Sequence, residues 1–152
     1  MRAWFVIGVV WAGCDDPIEW PDTTDFTADC TGADTFVAGM EMPTEVGEAA
    51  GDHMVRMLEA TPAPPDVGDN DWVVEVVDLE GAAVAGLDVS VRPFMPLHGH
   101  GLSPAAYAGA DQGDGTYVIE RFDLIMPGLW EFTVDVSGDA SETALFALCA
   151  EG

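Results

Sequence analysis

The sequence predicts an all-β fold, an antiparallel β-sandwich of about seven strands. Three observations predict it: short apolar runs alternate with polar residues, these runs are rich in β-branched and aromatic residues, and turn residues separate them. The chain has 152 residues, of which 49% are hydrophobic, so it is long enough for one domain with its own core. Two packed sheets would bury the apolar face of each strand.

Seven runs fit this pattern in chain order. In the clearest of them Leu87, Val89 and Val91 alternate with polar residues, as expected for a strand that is buried on one face. The same alternation starts at Trp130, and clusters of Gly, Pro and Asp mark the turns between runs. The predicted strands cover residues 36–38, 53–59, 72–77, 87–91, 117–122, 130–136 and 143–149.

Two segments are less direct to assign. Residues 45–58 resemble a helix in length, but two glycines and the Met-Val-Arg-Met order favour a strand. Residues 97–113 show no regular period and are predicted to form a long connection. Connections of this length are usually functional or mobile, which directs attention to this part of the chain.

The charge of the chain excludes some classes of partner. Four Lys and Arg residues stand against 28 Asp and Glu residues, a formal net charge of −24. Such a chain is not expected to bind nucleic acid or an anionic membrane surface through its charge. An acidic surface suits solvation, high salt or cation binding, and composition leaves these alternatives open.

The N-terminus predicts a lipoprotein signal peptide over residues 1–13. A short apolar run, too short to span a bilayer, ends in Trp-Ala-Gly before Cys14, which resembles the lipobox of bacterial lipoproteins. Cys14 would carry the lipid, and the acidic residues 14–34 would tether the domain 35–152 to the membrane. This predicts a bacterial cell-envelope protein that faces the periplasm or the cell exterior. The alternative is a buried N-terminal strand with an incidental cysteine.

Two cysteines remain in the chain after Cys14. Cys30 lies near the start of the predicted domain and Cys149 near its end. In an exported compartment, such a pair predicts one disulfide that closes the chain ends. The alternative is two unpaired thiols, which would be unusual outside the cytosol.

Catalytic motifs are missing from the sequence. Residues 101–105 lack the final glycine of a nucleophile elbow, and residues 111–115 fall short of an EF-hand loop. Neither HExxH nor CxxC occurs. The sequence therefore predicts a protein that is not an enzyme.

One segment carries a pattern typical of metal ligands. His98 and His100 are two residues apart, which in an extended chain points both imidazoles the same way. Met95 precedes them, and Met126 stands in a second Met-Pro pair. Imidazole and thioether together favour copper, so the candidate metal ligands are Met95, His98, His100 and Met126. The alternative is that the methionines fill one end of the sandwich and the histidines are exposed, as in a protein-interaction module without a metal.

These motifs also resemble those of the YtkA-like domain family. The resemblance covers roughly residues 68 to 137 and leaves residues 15–67 outside it. It implies a small, exported or membrane-anchored, immunoglobulin-like β-sandwich, often a lipoprotein, with links to copper-related proteins such as the CopC-like sandwiches. The expected function is a non-enzymatic envelope lipoprotein that binds copper, with a metal-free protein–protein interaction module as the alternative. The motifs that carry the resemblance are Asn70–Trp72, Asp78–Gly81, Val89–Val91 with Met95–His100, Asp114–Tyr117 and Met126–Glu131.

Overall fold

The computed structural model describes residues 28–152, and this part of the chain is all β. None of it forms a helix with the length and hydropathy needed to cross a membrane. The predicted signal peptide 1–13, the predicted lipid attachment at Cys14 and most of the predicted tether 14–34 lie outside the described residues. Nine strands follow one another: β1 Met40–Val46, β2 Ala49–Thr61, β3 Gly68–Asp78, β4 Asp88–Met95, β5 His100–Gly101, β6 Tyr107–Asp111, β7 Thr116–Leu124, β8 Gly128–Ser137 and β9 Ser141–Ala150.

The strands form one sheet that closes on itself. Its order is β5-β4-β6-β7-β3-β2-β1-β9-β8, and β8 pairs in turn with β4. Eight strands therefore form a barrel-like ring, and the two-residue β5 is attached to β4 beside it. All pairings between these strands are antiparallel. The prediction of an antiparallel all-β fold is confirmed. The predicted arrangement of seven strands in two separate sheets does not describe the ring, because the pairing of β4 with β8 joins the two ends of the strand order.

Six of the seven predicted strands correspond to strands of the ring, including 53–59, which lies inside β2. The exception is 36–38, which forms no strand. The first strand is instead β1, where Met40 and Met42 are half-buried and pair with Met57 and Val55 of β2. The apolar positions of β1 are few, which explains why the pattern was missed.

The predicted long connection 97–113 contains two strands, so that prediction was wrong. β5 and β6 both pair with β4, and β6 also pairs with β7. β6 has no clear apolar alternation in the sequence, because residues 108–110 in its middle are small. A Cβ atom at Gly109 would lie 3.2 Å from Cβ of Tyr117 and 3.3 Å from the carbonyl oxygen of Val89, so the close approach of neighbouring strands favours glycine there.

Aromatic side chains fill the centre of the ring. Trp72 of β3 is fully buried, and its ring centroid lies 4.6 Å from that of Phe132 and 5.1 Å from that of Phe122. The Trp72–Phe122 pair is edge-to-face, a geometry that aromatic quadrupoles favour. Phe146 of β9 completes the cluster at 6.5 Å from Trp72. The core therefore joins strands from opposite sides of the ring.

A disulfide between Cys30 and Cys149 joins the two ends of the part of the chain that the structure describes, which confirms the predicted pair. The two Cα atoms are 5.3 Å apart and 119 residues apart in sequence. Backbone hydrogen bonds hold the same segment to the barrel: Leu129 donates to the carbonyl of Asp29 at 3.0 Å, and Asp34 donates to the carbonyl of Ala147 at 2.7 Å. The segment before β1 is thus attached to β8 and β9.

Met95 at the end of β4 and Gly128 at the start of β8 are in contact at one end of the barrel. Met95 is 1% exposed, and a Cβ atom at Gly128 would lie 2.8 Å from its Cε. Gly128 has a φ of 131°, a region that L side chains rarely adopt. The backbone conformation therefore favours glycine at the start of β8, and a larger residue there would also displace the terminal methyl group of Met95.

Removal of the disulfide should destabilise the fold strongly. We expect the double variant Cys30→Ser with Cys149→Ser to lose on the order of 4–5 kcal/mol of unfolding free energy, because the unfolded chain gains the entropy of a long open loop. Urea denaturation measures this loss. The wild-type protein in excess reductant should match the double variant, and a variant as stable as the oxidised wild type would contradict the prediction.

Substitution of Gly128 tests the packing at the Met95 end. We expect Gly128→Ala to cost about 1–3 kcal/mol of unfolding free energy, because alanine is strained at this φ and contacts Met95. Gly47→Ala is the matched control, since Gly47 also has a positive φ but nothing lies within 4 Å of the added Cβ. Equal losses in the two variants, measured by urea denaturation, would argue against a specific contact with Met95.

Candidate metal site

The Met-Pro-Leu-His-Gly-His segment forms a tight hairpin at one end of the barrel. The amides of His98 and Gly99 donate to the carbonyl of Met95 at 3.2 and 2.9 Å, and Gly99 adopts a φ of 67°. The chain then returns as β5, in which His100 pairs with Met95. The extended-chain argument for the two histidines was therefore wrong, because His98 lies in the turn and only His100 lies in a strand.

The hairpin nevertheless brings the two imidazoles together. Their ring centroids are 5.9 Å apart. Two imidazoles that share a metal ion at about 2.0–2.1 Å from each nitrogen have centroids no more than about 6–6.5 Å apart, so this spacing fits a shared metal. His98 is exposed and His100 is half-buried, so the pair lies at the protein surface.

The ring of His100 is positioned by two neighbours. Its Nδ1 lies 3.3 Å from the carbonyl oxygen of Gly101, and its ring stands edge-on to Trp130 with centroids 6.2 Å apart. With the proton on Nδ1, that nitrogen donates to Gly101 and Nε2 keeps its lone pair. This is the arrangement in which histidines in proteins usually bind a metal.

Met95 lies between His100 and Trp130 on the inner face. It is the pairing partner of His100, and directly opposite residues of an antiparallel pair share one face of the sheet. The β4–β8 pairing ends at Phe94 and Glu131, which places Met95 beside Trp130 one position further along. A thioether, an imidazole and an indole thus occupy adjacent positions at one end of the barrel.

Met126 belongs to the turn that leads into β8. Its carbonyl accepts a hydrogen bond of 3.0 Å from Nε1 of Trp130, and its partly buried side chain packs against the core. The structure therefore places all four predicted ligands in segments at the Met95 end of the barrel. Met95 and His100 are paired, His98 lies beside His100, and Met126 is linked to them through Trp130.

The donor set at this end fits a soft metal better than a hard one. Across residues 28–152, no group of three or more His, Cys, Asp or Glu side chains is placed to hold a metal ion. A site here would have to use methionine sulfur together with the two imidazoles. Thioether and imidazole donors suit Cu(I), whereas hard cations such as Mg²⁺ and Ca²⁺ require oxygen ligands.

Apolar side chains surround the hairpin on the outer surface. Phe94 and Leu97 of the hairpin are 40% and 66% exposed, and Ile125 beside Met126 is 58% exposed. Phe94 and Ile125 each border a cavity that also contains Gly101 and Leu102. An exposed apolar cluster of this kind is typical of a surface that contacts another molecule.

Sequence reasoning missed Trp130 as a member of this site. It was predicted only as the start of a strand, although it follows Met126 by four residues in the Met-Pro-Gly-Leu-Trp motif. That spacing brings its indole back to the Met126 carbonyl. The motif itself was therefore the signal that could have found it.

Comparison with known proteins identifies a family for this chain. The family model described as YtkA-like matches residues 49–135, more than half of the chain. The match starts at β2, so the expectation that residues 15–67 lie outside the family was wrong for residues 49–67. No curated protein and no solved structure matches the chain. The matched region contains the complete Met-Pro-Leu-His-Gly-His hairpin and the Met-Pro-Gly-Leu-Trp turn, and the chain belongs to the YtkA-like family.

Proposed function

We propose that this protein is a non-enzymatic, lipid-anchored copper-binding protein of the bacterial cell envelope. His98 and His100 would supply nitrogen ligands, and Met95 and Met126 would supply sulfur ligands. The ion would be Cu(I), since thioether donors favour this oxidation state.

The observation that carries the proposal is the placement of the two imidazoles beside Met95. A hairpin with exposed histidines would not by itself indicate a metal. Here the ring spacing of 5.9 Å is short enough for a shared ion, and with the proton of His100 on Nδ1 its Nε2 is available as a ligand. Met95 is the cross-strand partner of His100 and lies on the same face of the sheet, so its thioether would supply the third ligand.

The second candidate function is a protein–protein interaction module without a metal. The exposed side chains of Phe94, Leu97 and Ile125 favour it, because they surround the same hairpin. In that case the two histidines would contact a partner protein in the envelope, and Met95 would serve only to fill the end of the barrel.

A Cu(I) titration separates the two functions. We expect the full-length protein to take up one Cu(I) from a colorimetric chelator, because two imidazoles and two thioethers lie at one end of the barrel. The double variant His98→Ala with His100→Ala should weaken the affinity by at least about tenfold, the loss typical when a metal site loses key interactions.

The third histidine of the chain provides the matched control for this titration. His53→Gln removes an imidazole from a different part of the protein and should leave the Cu(I) affinity unchanged. Met95→Leu conserves the side-chain volume and should weaken Cu(I) while the fold persists. If Cu(I) does not bind, or if the double histidine variant binds it as tightly as the wild type, the interaction module is favoured instead.

The proposed lipid anchor is tested separately. The apolar run ending at Gly13 and the small residues before Cys14 favour lipidation of that cysteine. We expect Cys14→Ser to abolish labelling by a fatty-acid analogue in bacteria and to release the protein from the membrane fraction. Cys30→Ser is the control that should keep the label. Retained acyl labelling in Cys14→Ser would exclude this anchor.

A further inference from the structure

A cavity lies at the end of the barrel opposite the candidate metal site. It has a volume of about 570 Å³, within the range of small-molecule pockets. Val136 and Gly138 at the end of β8 line it, whereas Trp130 lies near the beginning of that strand. Val136 lies six positions after Trp130 along the extended strand, a distance of roughly 20 Å. The cavity is therefore distinct from the hairpin site.

A buried carboxylate forms part of the wall of this cavity. Glu142 of β9 is 3% exposed, and its Oε2 accepts a hydrogen bond of 3.1 Å from the amide of Asp52. Nδ1 of His53 lies 3.1 Å from the same oxygen, and the hydroxyl of Thr44 is also in contact with it. Gly51 makes room for this cluster, because a Cβ atom there would collide with Thr44 and Glu142.

The second oxygen of Glu142 has a different environment. Within residues 28–152, Oε1 has no hydrogen-bond partner, and it is not among the fully enclosed polar atoms. Because Glu142 lines the cavity and this oxygen is neither hydrogen-bonded nor fully enclosed, it is available to accept a hydrogen bond from a ligand. Burial raises the pKa of Glu142, but hydrogen bonds from Thr44 and His53 outweigh it, so the pKa lies below its ordinary value and the carboxyl is ionised at neutral pH.

Carboxylates and apolar side chains make up most of the remaining lining of the cavity. Four further carboxylates line it, and no Lys or Arg of the described chain does so. Arg56 is the nearby basic residue, but it pairs with Glu41 and Glu75. A cleft lined by one sign of charge concentrates ligands of the opposite sign. The four carboxylates are Asp52, Asp78, Glu80 and Asp139, and the larger apolar residues that line the cavity are Leu79, Val84, Leu87 and Val136.

We infer that this cavity binds a small organic cation, an ammonium group carried on an apolar body. The ammonium would donate to Oε1 of Glu142 and lie among the four other carboxylates that line the cavity, while the apolar body would contact Leu79 and Leu87. A metal ion fits less well, because no three His, Cys, Asp or Glu side chains in residues 28–152 are placed to hold one. An ammonium group needs only hydrogen-bond acceptors and negative charge. The inference is independent of the proposed copper site.

Nuclear magnetic resonance of the full-length chain tests this inference with two probes of matched shape. Benzylammonium should produce saturable shifts at the methyl groups of Leu79, Leu87 and Val136 and at the His53 ring. Benzyl alcohol, which lacks the charge, should produce none. Glu142→Gln keeps the size of the side chain and should weaken benzylammonium by about tenfold or more, as expected when a charged hydrogen-bond partner is lost. Glu131→Gln, on the candidate metal-site half of β8, is the control that should change nothing.

A second variant covers the case in which Glu142→Gln disturbs the fold. Glu80 and Asp139 are exposed, so Glu80→Gln with Asp139→Asn should preserve the fold and still weaken benzylammonium severalfold. Equal shifts with benzyl alcohol would show an apolar cleft without preference for a cation and overturn the inference. The absence of saturable shifts with benzylammonium would also overturn it, as would shifts that neither Glu142→Gln nor the Glu80 and Asp139 double variant reduces.

Discussion

The pairing of β4 with β8 is the constraint on which the rest of the structure depends. Seven residue pairs, from Asp88 with Ser137 to Phe94 with Glu131, close the sheet into a ring. Closure removes the two long open edges that a flat sheet would expose. It also determines what lies at each end, because the same two strands carry Met95 and Trp130 to one end and Val136 and Gly138 to the other.

The two ends of the ring differ in their chemistry. The Met95 end combines sulfur and imidazole donors with exposed apolar side chains, and the segment leading to the N-terminus packs there, since Asp29 is bonded to Leu129. The opposite end has carboxylates around a cavity. Between them the aromatic cluster around Trp72 is fully buried, and a packed core of this kind keeps the two ends in fixed positions. One scaffold therefore carries the candidate metal site and the anionic cavity at separate ends.

The strands with strict alternation could be predicted from the sequence, and those with weak alternation could not. Leu87–Val91 and the strand that starts at Trp130 alternate because one face meets the core. The middle of β6, residues 108–110, consists of small residues, and the close approach of neighbouring strands favours glycine at position 109, so the strand shows no apolar alternation. Ring closure is also invisible locally, because it depends on pairings between distant strands. The disulfide was predictable since few cysteines remained to pair, whereas the His53–Glu142 contact joins residues 89 positions apart without a motif.

In the proposed copper site, sulfur and nitrogen donors at the Met95 end would share one ion. X-ray absorption spectroscopy of the full-length protein with one equivalent of Cu(I) tests this proposal most directly, because sulfur and nitrogen neighbours scatter differently. We expect a coordination shell that contains both elements in the wild type, with a smaller sulfur contribution in Met95→Leu and an unchanged shell in His53→Gln. A shell of nitrogen and oxygen alone, identical in the wild type and in Met95→Leu, would contradict the proposal.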